Sequence, residues 1–264
     1  MDSTQLLGYI GALVVGLVLG LIGGGGSILT VPLLVYLLGY NPIVATAYSL
    51  FVVGTTSMVG TYQKFKKGLV DFKTGFAFSF PSFIAVYLSR RYLVPGIPEN
   101  LFSLGNFTLT KAMGIMVFFA IIMLLASFSM IKNQKETHEI PQKQAYYKTF
   151  SQGLVIGTIT GIIGAGGGFL YVPALVLWAN IPMKKAVGTS LIIVTINSLI
   201  GFTGDIQTLE IEWLFLLTFT LISVAGIIIG VFLSKYISGN KLKKSFGYFS
   251  FIMAIYIIYK ETNT

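Results

Sequence analysis

A glycine-rich break inside an apolar segment occurs twice in this chain, and few folds accommodate such a break. Residues 23–27 read Gly-Gly-Gly-Gly-Ser and precede Ile-Leu-Thr-Val-Pro, while residues 164–168 read Gly-Ala-Gly-Gly-Gly and precede Phe-Leu-Tyr-Val-Pro. The two copies lie 141 positions apart. Paired breaks in corresponding apolar segments of two halves indicate a transport site in a membrane protein.

The composition places the segments around these breaks in a lipid bilayer. Of the 264 residues, 55% are hydrophobic and 10% are charged, and the mean hydropathy is +0.82. Soluble domains carry about 25% charged residues. Apolar runs separated by short polar loops are typical of membrane helices, whereas barrel strands alternate every second residue. We therefore predict an all-α, multi-pass protein of the cell (plasma or inner) membrane, with about 8–10 membrane segments.

Charge and cysteine content narrow the possible partners. The formal net charge is +9, but the basic residues lie in short loops between apolar runs, where they suit anionic lipid headgroups rather than nucleic acid. The chain contains no cysteine, which excludes disulfides and thiolate metal sites. The bilayer is therefore the partner that the composition indicates, and nucleic acid is not expected.

The chain divides into two related halves. Residues 16–60 align without a gap to residues 157–201, with 17 identities in 45 positions. Apolar composition explains matches among leucine, isoleucine and valine, but not the matched glycines, prolines and serines. We predict a first transmembrane repeat at 1–131, a polar cytoplasmic linker at 132–148, and a second transmembrane repeat at 149–264.

Loop charges indicate that the second repeat is inverted. Cytoplasmic loops of membrane proteins carry an excess of lysine and arginine. The loop that contains Lys64 is basic, whereas its equivalent in the second half, from Asp205 to Glu212, is acidic. The loop at 39–42 is uncharged, whereas its equivalent contains Lys184 and Lys185. Equivalent loops then lie on opposite sides of the membrane, and the N-terminus lies outside. This orientation also places Arg90 and Arg91 outside, contrary to the charge rule.

The glycine turns are the first candidates for a binding site. Non-helical backbone at membrane depth occurs only where protein buries it or where it lines a cavity. The helices that follow the turns present free N–H groups and a positive dipole end, which favour an anion, and glycine permits close approach. An alternative is that the turns serve only tight hairpins and close packing. The candidate residues are Gly25, Gly26, Ser27, Gly166, Gly167 and Gly168.

Polar side chains on the long helices after each turn are the second candidates. Ser49 and Thr56 are seven residues apart, as are Ser190 and Asn197, so each pair shares a helix face. Thr189 adds a further hydroxyl. These groups donate hydrogen bonds that an oxyanion accepts, although such residues also serve as hydrogen bonds between membrane helices. Asn197, the most polar residue inside a predicted span, is the strongest single candidate.

The spans lack groups that other functions need. No Asp, Glu, His, Lys or Arg lies in the middle of a predicted span, which argues against a proton relay, a divalent metal site, a bound cofactor and a membrane enzyme. A neutral site rich in donors favours an anion. Two alternatives remain open: a small-anion channel, and a sodium-coupled transporter of another small organic anion.

The doubled motif resembles the TauE/SafE sulfite exporter family, also called the toluene sulfonate uptake permease family. In the first half the similarity is carried by Gly25, Gly26, Pro32, Ala45 and Ser49. In the second half it is carried by Gly166, Gly167, Pro173, Ala186, Gly188, Thr189, Ser190 and Asn197. The resemblance implies a secondary transporter of a small sulfur-containing anion, such as sulfite or an organosulfonate, working by alternating access. The first half departs from the Gly-Thr-Ser pattern and has Ala47-Tyr48-Ser49.

Overall fold

Helices make up nearly all of the structure, a computed structural model that describes residues 3–104, 107–131, 146–179 and 181–262. The first half contains α1 (Ser3–Ile22), the short α2 (24–37), α3 (Pro42–Lys66), α4 (Phe72–Leu88) and α5 (Lys111–Ile131). The second half contains α6 (Tyr146–Ile163), α7 (Gly168–Leu177), α8 (Met183–Asp205), α9 (Trp213–Leu233) and α10 (Gly239–Thr262). The prediction of an all-α polytopic protein is confirmed.

Two elements depart from regular α-helix. Helix α2 winds successively as a 3₁₀ segment (Gly24–Leu29), an α segment (Thr30–Pro32) and a π segment (Leu33–Leu37). Helix α4 continues through a π segment (Ser89–Leu93) and a last turn (Val94–Gly96). Pro32 lacks an amide donor, which is consistent with the change of winding after it.

Five of the described helices are long and apolar enough to cross a membrane: α1 from Gln5, α3, α5, α8 and α9. The apolar stretch Ser27–Leu37 in α2 is shorter, as the glycine break requires. A full span needs about 20 residues, so α2 and α7 reach only part of the way through the bilayer. These short helices begin at the glycine breaks, which therefore lie at membrane depth.

Outside the helices, the structure corrects one prediction and limits another. Prolines and glycines from residue 95 to 105 predict a plain loop, but strands β1 (Asn100–Leu104) and β2 (Phe107–Thr110) form an antiparallel hairpin there. Alternating apolar and β-branched residues in these strands outweigh the turn residues. The predicted linker at 132–148 lies mostly outside the described residues, and α6 begins at Tyr146.

Helices α3 and α8 cross at the centre of the bundle and run antiparallel. A Cβ added at Gly54 would lie 2.9 Å from Leu199 Cγ, while one added at Gly201 would meet Val86 and Leu50. Helices α5 and α10 are also antiparallel. A Cβ added at Gly247 would contact Met130 and Ile131, while the ring of Phe251, one turn later, contacts that of Phe128, which comes earlier in α5. In each of these pairs, the two helices hold equivalent positions in the two predicted repeats.

Glycines bring two further pairs into backbone contact. Gly16 and Gly20 of α1 lie against Gly226 and Gly230 of α9, and the two helices run parallel. Helix α6 lies in the same way along α4, with Gly157 against the carbonyl of Ser82. Small residues permit such close approach of membrane helices. In the predicted repeat α1 corresponds to α6 and α9 corresponds to α4, so the two pairs are equivalent. They lie on either side of the central α3–α8 pair.

Candidate functional site

The two glycine breaks form two tips with glycine-specific backbone. The first tip (residues 23–29) begins at Gly23, whose φ is +79°, and continues as the 3₁₀ turn that includes Gly25 and Gly26. In the second tip (residues 164–168), Gly166 and Gly167 have φ values of +68° and +66°. Residues with a Cβ rarely adopt this left-handed region. The local sequence therefore fixes both tips.

The tips meet each other at the centre of the bundle. Any Cβ on Gly168 would overlap the Cα, carbon and oxygen of Gly24, and a Cβ on Gly24 would overlap the Cα of Gly168. The first tip also lies against Val187 and Ser190 of α8, and the second lies against Thr46 of α3. The structure thus brings the predicted Gly168 and Ser190 together at the tip contact.

The second tip presents buried amides that lack acceptors. Residues 165–168 are all buried, and none of their backbone N–H groups donates a hydrogen bond to another described residue. They precede the first turn of α7, where the helix dipole adds partial positive charge. Consecutive free amides in left-handed turns form a concavity that suits an anion. This tip therefore offers an anion several neutral donors.

The first tip is occupied by bonds within the protein. The amide of Gly24 donates to Ser190 Oγ over 3.3 Å, and Ser190 Oγ donates to the carbonyl of Val187 over 2.9 Å. Ser27 Oγ donates to the carbonyl of Gly24 over 2.7 Å. Of the predicted site residues, Ser27 and Ser190 therefore stabilise the first tip in this conformation.

Asn197 lies in a buried hydrogen-bonded cluster, here called the bonded trio (Ser82, Tyr171 and Asn197). Its Nδ2 donates to Ser82 Oγ over 2.9 Å and to Tyr171 Oη over 2.7 Å. The Ser82 and Tyr171 hydroxyls are also hydrogen-bonded to each other. The trio joins α8 to α4 and α7, all three side chains being fully buried or nearly so.

The remaining predicted hydroxyls divide into two kinds. Ser49 and Thr56 on α3 are fully buried, and neither hydroxyl has a hydrogen-bond partner among the described residues. Thr189 lies elsewhere, because its Oγ1 accepts the amide of Asp71 over 2.9 Å before the start of α4. Thr189 therefore holds a loop, while Ser49 and Thr56 keep free donors.

Comparison with known proteins identifies the family. A sequence model described as "Sulfite exporter TauE/SafE" matches residues 9–257, nearly the whole chain. The chain belongs to this family. A "Probable membrane transporter protein" of Xylella fastidiosa is 28% identical over 254 residues, covering 94% of this chain and 92% of that protein. The "Probable membrane transporter protein YunE" of Bacillus subtilis is 30% identical over 234 residues, covering 78% and 79%.

A third TauE/SafE relative matches a shorter region more closely. The "Probable membrane transporter protein MJ0441" of Methanocaldococcus jannaschii is 37% identical over 111 residues, covering 40% of this chain and 42% of that protein. No solved structure matches the chain. Family membership and the apolar helices make this chain a multi-pass membrane transporter rather than an enzyme.

Sequence reasoning missed three buried polar residues of this TauE/SafE member: Tyr171, Ser82 and Ser223. Tyr171 follows the second tip, as Thr30 follows the first, and both are fully buried. A signal was available, since the repeat spacing of 141 positions pairs Thr30 with Tyr171 and Ser82 with Ser223. Applying that spacing to polar residues, rather than to the glycines alone, finds them.

An open groove of about 810 Å³ lies away from the tips, at the end of the bundle where α1 and α9 begin. Tyr40 Oη donates to Glu212 Oε2 there over 3.1 Å. Burial raises the pKa of Tyr40 above its ordinary value, and the nearby Glu212 carboxylate raises it further, so the phenol stays protonated. A carboxylate in the wall disfavours an anion. The tips therefore remain the better candidate site.

Proposed function

We propose that this membrane transporter carries a small sulfur-containing oxyanion, such as sulfite or an organosulfonate, by alternating access. The site consists of the two tips and the polar faces of α3 and α8. The observation that carries the proposal is the run of buried, acceptor-free amides at residues 165–168. Unpaired buried amides are costly, and an oxyanion supplies the acceptors that they lack.

The neutral chemistry of the region supports an anion rather than a cation. Helix α3, which lies against the second tip, carries hydroxyls that are buried without partners among the described residues, including those of Ser49, Thr56 and Ser57. Donors of this kind bind an oxyanion without a buried countercharge. The transported charge is then not neutralised, so an interior-negative potential of 100 mV favours export by about 2.3 kcal/mol per charge.

The antiparallel packing of corresponding helices supports inverted repeats. In the pairs α3–α8 and α5–α10, each helix lies antiparallel to its predicted counterpart, as an axis in the membrane plane requires. The ion pair between Arg90 and Asp205 also removes one objection to the orientation. Arg90 is buried and neutralised there, so it is not a free basic charge in an outer loop.

The proposal is tested by flux into liposomes that contain the purified protein. We expect sulfite uptake, measured under argon, to saturate with concentration and to accelerate when the liposomes are preloaded with sulfite. Sulfate, thiosulfate, sulfoacetate, taurine and acetate form the comparison panel, and protein-free liposomes are the control.

Each outcome of the flux experiment supports or contradicts the proposal. Saturable, exchange-accelerated flux of any sulfur oxyanion supports a transporter. Unsaturated electrical conductance would show a channel instead, and uptake of a carboxylate alone that depends on sodium would show the other alternative. The absence of both flux and thermal stabilisation with every sulfur oxyanion in the panel would overturn the proposal.

A further inference from the structure

The repeat gives the bonded trio a counterpart in the first half. Positions 141 residues from Tyr171, Asn197 and Ser82 are occupied by Thr30, Thr56 and Ser223, here called the open trio. The structure supports this correspondence in space. Gly157 meets the carbonyl of Ser82, and Gly16, its counterpart, meets the carbonyl of Ser223. Helix α3, which carries Thr56, packs against both α2 and α9, which carry the other two.

The open trio is buried and lacks hydrogen-bond partners. Thr30, Thr56 and Ser223 are each 0% exposed, and none of their hydroxyls has a partner among the described residues. Some other buried hydroxyls bond to their own helix, as Thr46 does to the carbonyl of Ile43 over 2.8 Å and Thr220 to that of Leu216 over 2.6 Å, while others, such as Ser49, also lack partners. Leaving a buried hydroxyl unpaired costs about 1–3 kcal/mol, so three such costs at corresponding positions need an explanation.

The trios differ at two positions, where Tyr171 and Asn197 of the bonded trio correspond to Thr30 and Thr56 of the open trio. Tyr171 reaches across with its phenol and closes a hydrogen-bonded cluster with Ser82 and Asn197. At the equivalent place Thr30 has a short side chain, and no hydrogen bond joins Thr30, Thr56 and Ser223 to one another. The bonded trio is therefore hydrogen-bonded internally, although Asn197 Oδ1 has no partner, while the open trio keeps three hydroxyl donors without partners among the described residues.

We propose that the open trio contacts the transported anion, and that the bonded trio is a fixed support that the anion does not enter. This inference rests on the proposed function and narrows it. Three hydroxyl donors match the three oxygens of a sulfite or sulfonate group, so the open trio favours a sulfur group with three terminal oxygens. Carboxylates, which have two oxygens, leave one donor unpaired and bind more weakly.

The test compares hydroxyl removal in the two trios, using sulfite as the probe. Thr30→Val, Thr56→Val and Ser223→Ala remove the open hydroxyls, while Tyr171→Phe and Ser82→Ala remove bonded ones. Each variant is examined for its melting temperature without anion, its stabilisation by sulfite, and the KM of sulfite flux into liposomes.

Opposite responses are expected from the two sets. Open-trio variants should melt at or above the wild-type temperature without anion, because no hydrogen bond is lost, but their KM should rise about five- to twentyfold. Bonded-trio variants should melt several degrees lower and keep KM within about twofold. Thr56→Ser, which retains the hydroxyl, should restore a nearly normal KM.

The outcomes separate this inference from the proposed function. If wild-type protein responds to no sulfur oxyanion, the proposed function fails. If wild-type protein transports sulfite but all three open-trio variants keep the wild-type KM and sulfite stabilisation, the inference alone is overturned. A KM rise in Tyr171→Phe as large as that in Thr30→Val would also overturn it, because the bonded trio would then contact the anion.

Discussion

The two ends of the bundle close in different ways, although the repeat makes them equivalent. Lys64 near the end of α3 and Asp205 at the end of α8 lie 141 positions apart and occupy corresponding places. Since α3 and α8 are antiparallel, these residues lie at opposite ends of the bundle. One end has a buried ion pair, and the other has a lysine hydrogen-bonded to a hydroxyl.

The Asp205 end is tied across three helices. Arg90 Nε donates to both carboxylate oxygens of Asp205 over 2.9 and 2.7 Å, and Nη2 lies 2.7 Å from Oδ2. Its Nη1 donates to Thr46 Oγ1 over 3.1 Å. Arg90 is 0% exposed, so the pair is desolvated. The pair thus joins the end of α4 to α8 and to the start of α3, beside the second tip.

The Lys64 end has cations without a carboxylate. Lys64 Nζ donates to Ser234 Oγ over 2.8 Å, and Lys67 Nζ donates to the carbonyl of Val231 over 3.3 Å. No ion pair involves either lysine among the described residues. Bonds to a hydroxyl and a carbonyl separate at lower cost than a buried ion pair. We expect the Lys64 end to open first and to attract the anion.

The largest expected effect comes from breaking the ion pair. Arg90→Met leaves the Asp205 carboxylate buried and unpaired, which should lower the free energy of unfolding by about 3–5 kcal/mol. Arg90→Met combined with Asp205→Leu removes both charges and should recover most of that loss. Thermal unfolding of the three proteins in the same detergent measures the comparison. Losses that simply add in the double variant would show that the two residues are not coupled.

The same double variant tests whether the pair holds that end closed. The chain has no native cysteine, so a single Thr46→Cys substitution gives one labelling site beside Arg90. We expect slow reaction with a membrane-impermeant maleimide when the pair is present. In the double variant, labelling from that side should accelerate at least several-fold. Equal rates in both backgrounds would mean that the ion pair does not hold this end closed.

A smaller effect is expected at the contact between the two tips. Gly168→Ala places a methyl group against the backbone of Gly24, so the tips must separate. Forced repacking of this kind costs about 1–3 kcal/mol. Gly96→Ala is the matched control, because nothing lies within 4 Å of an added Cβ there. Unchanged melting temperature and sulfite flux in Gly168→Ala would show that the tips do not need this contact.

The shared features of the halves were the ones that the sequence could reveal. Glycine, proline and hydrophobic periodicity act locally, so the helices of the described residues and both glycine tips were predictable. Asp71 caps α4, because its carboxylate accepts the amide of Thr74 over 3.1 Å. Glu212, its counterpart before α9, instead accepts a hydrogen bond from Tyr40. Tertiary contacts decided that difference.

The features that distinguish the halves depend on distant partners and were not predictable. Arg90 resembled a basic loop residue, and only the approach of α4 to α8 shows that it pairs with Asp205. Tyr171 resembled an ordinary aromatic residue of an apolar helix, and its role depends on Asn197 and Ser82, which lie on two other helices. The hydrophobic pattern specifies which face is buried but not which polar groups meet there.

The smallest expected effect concerns the charge at the Lys64 end. Lys64→Gln removes a cation but keeps a donor for Ser234, so the fold should change little. Loss of electrostatic attraction should raise the KM for sulfite about two- to fivefold, more at 0.01 M than at 0.15 M salt, where the Debye length falls from about 30 to about 8 Å. Lys66→Gln is the matched control, because Lys66 is exposed on the same helix and lies over the Tyr62 ring. Equal effects of the two substitutions would assign the attraction to surface charge in general, and the two ends would then differ in closure alone.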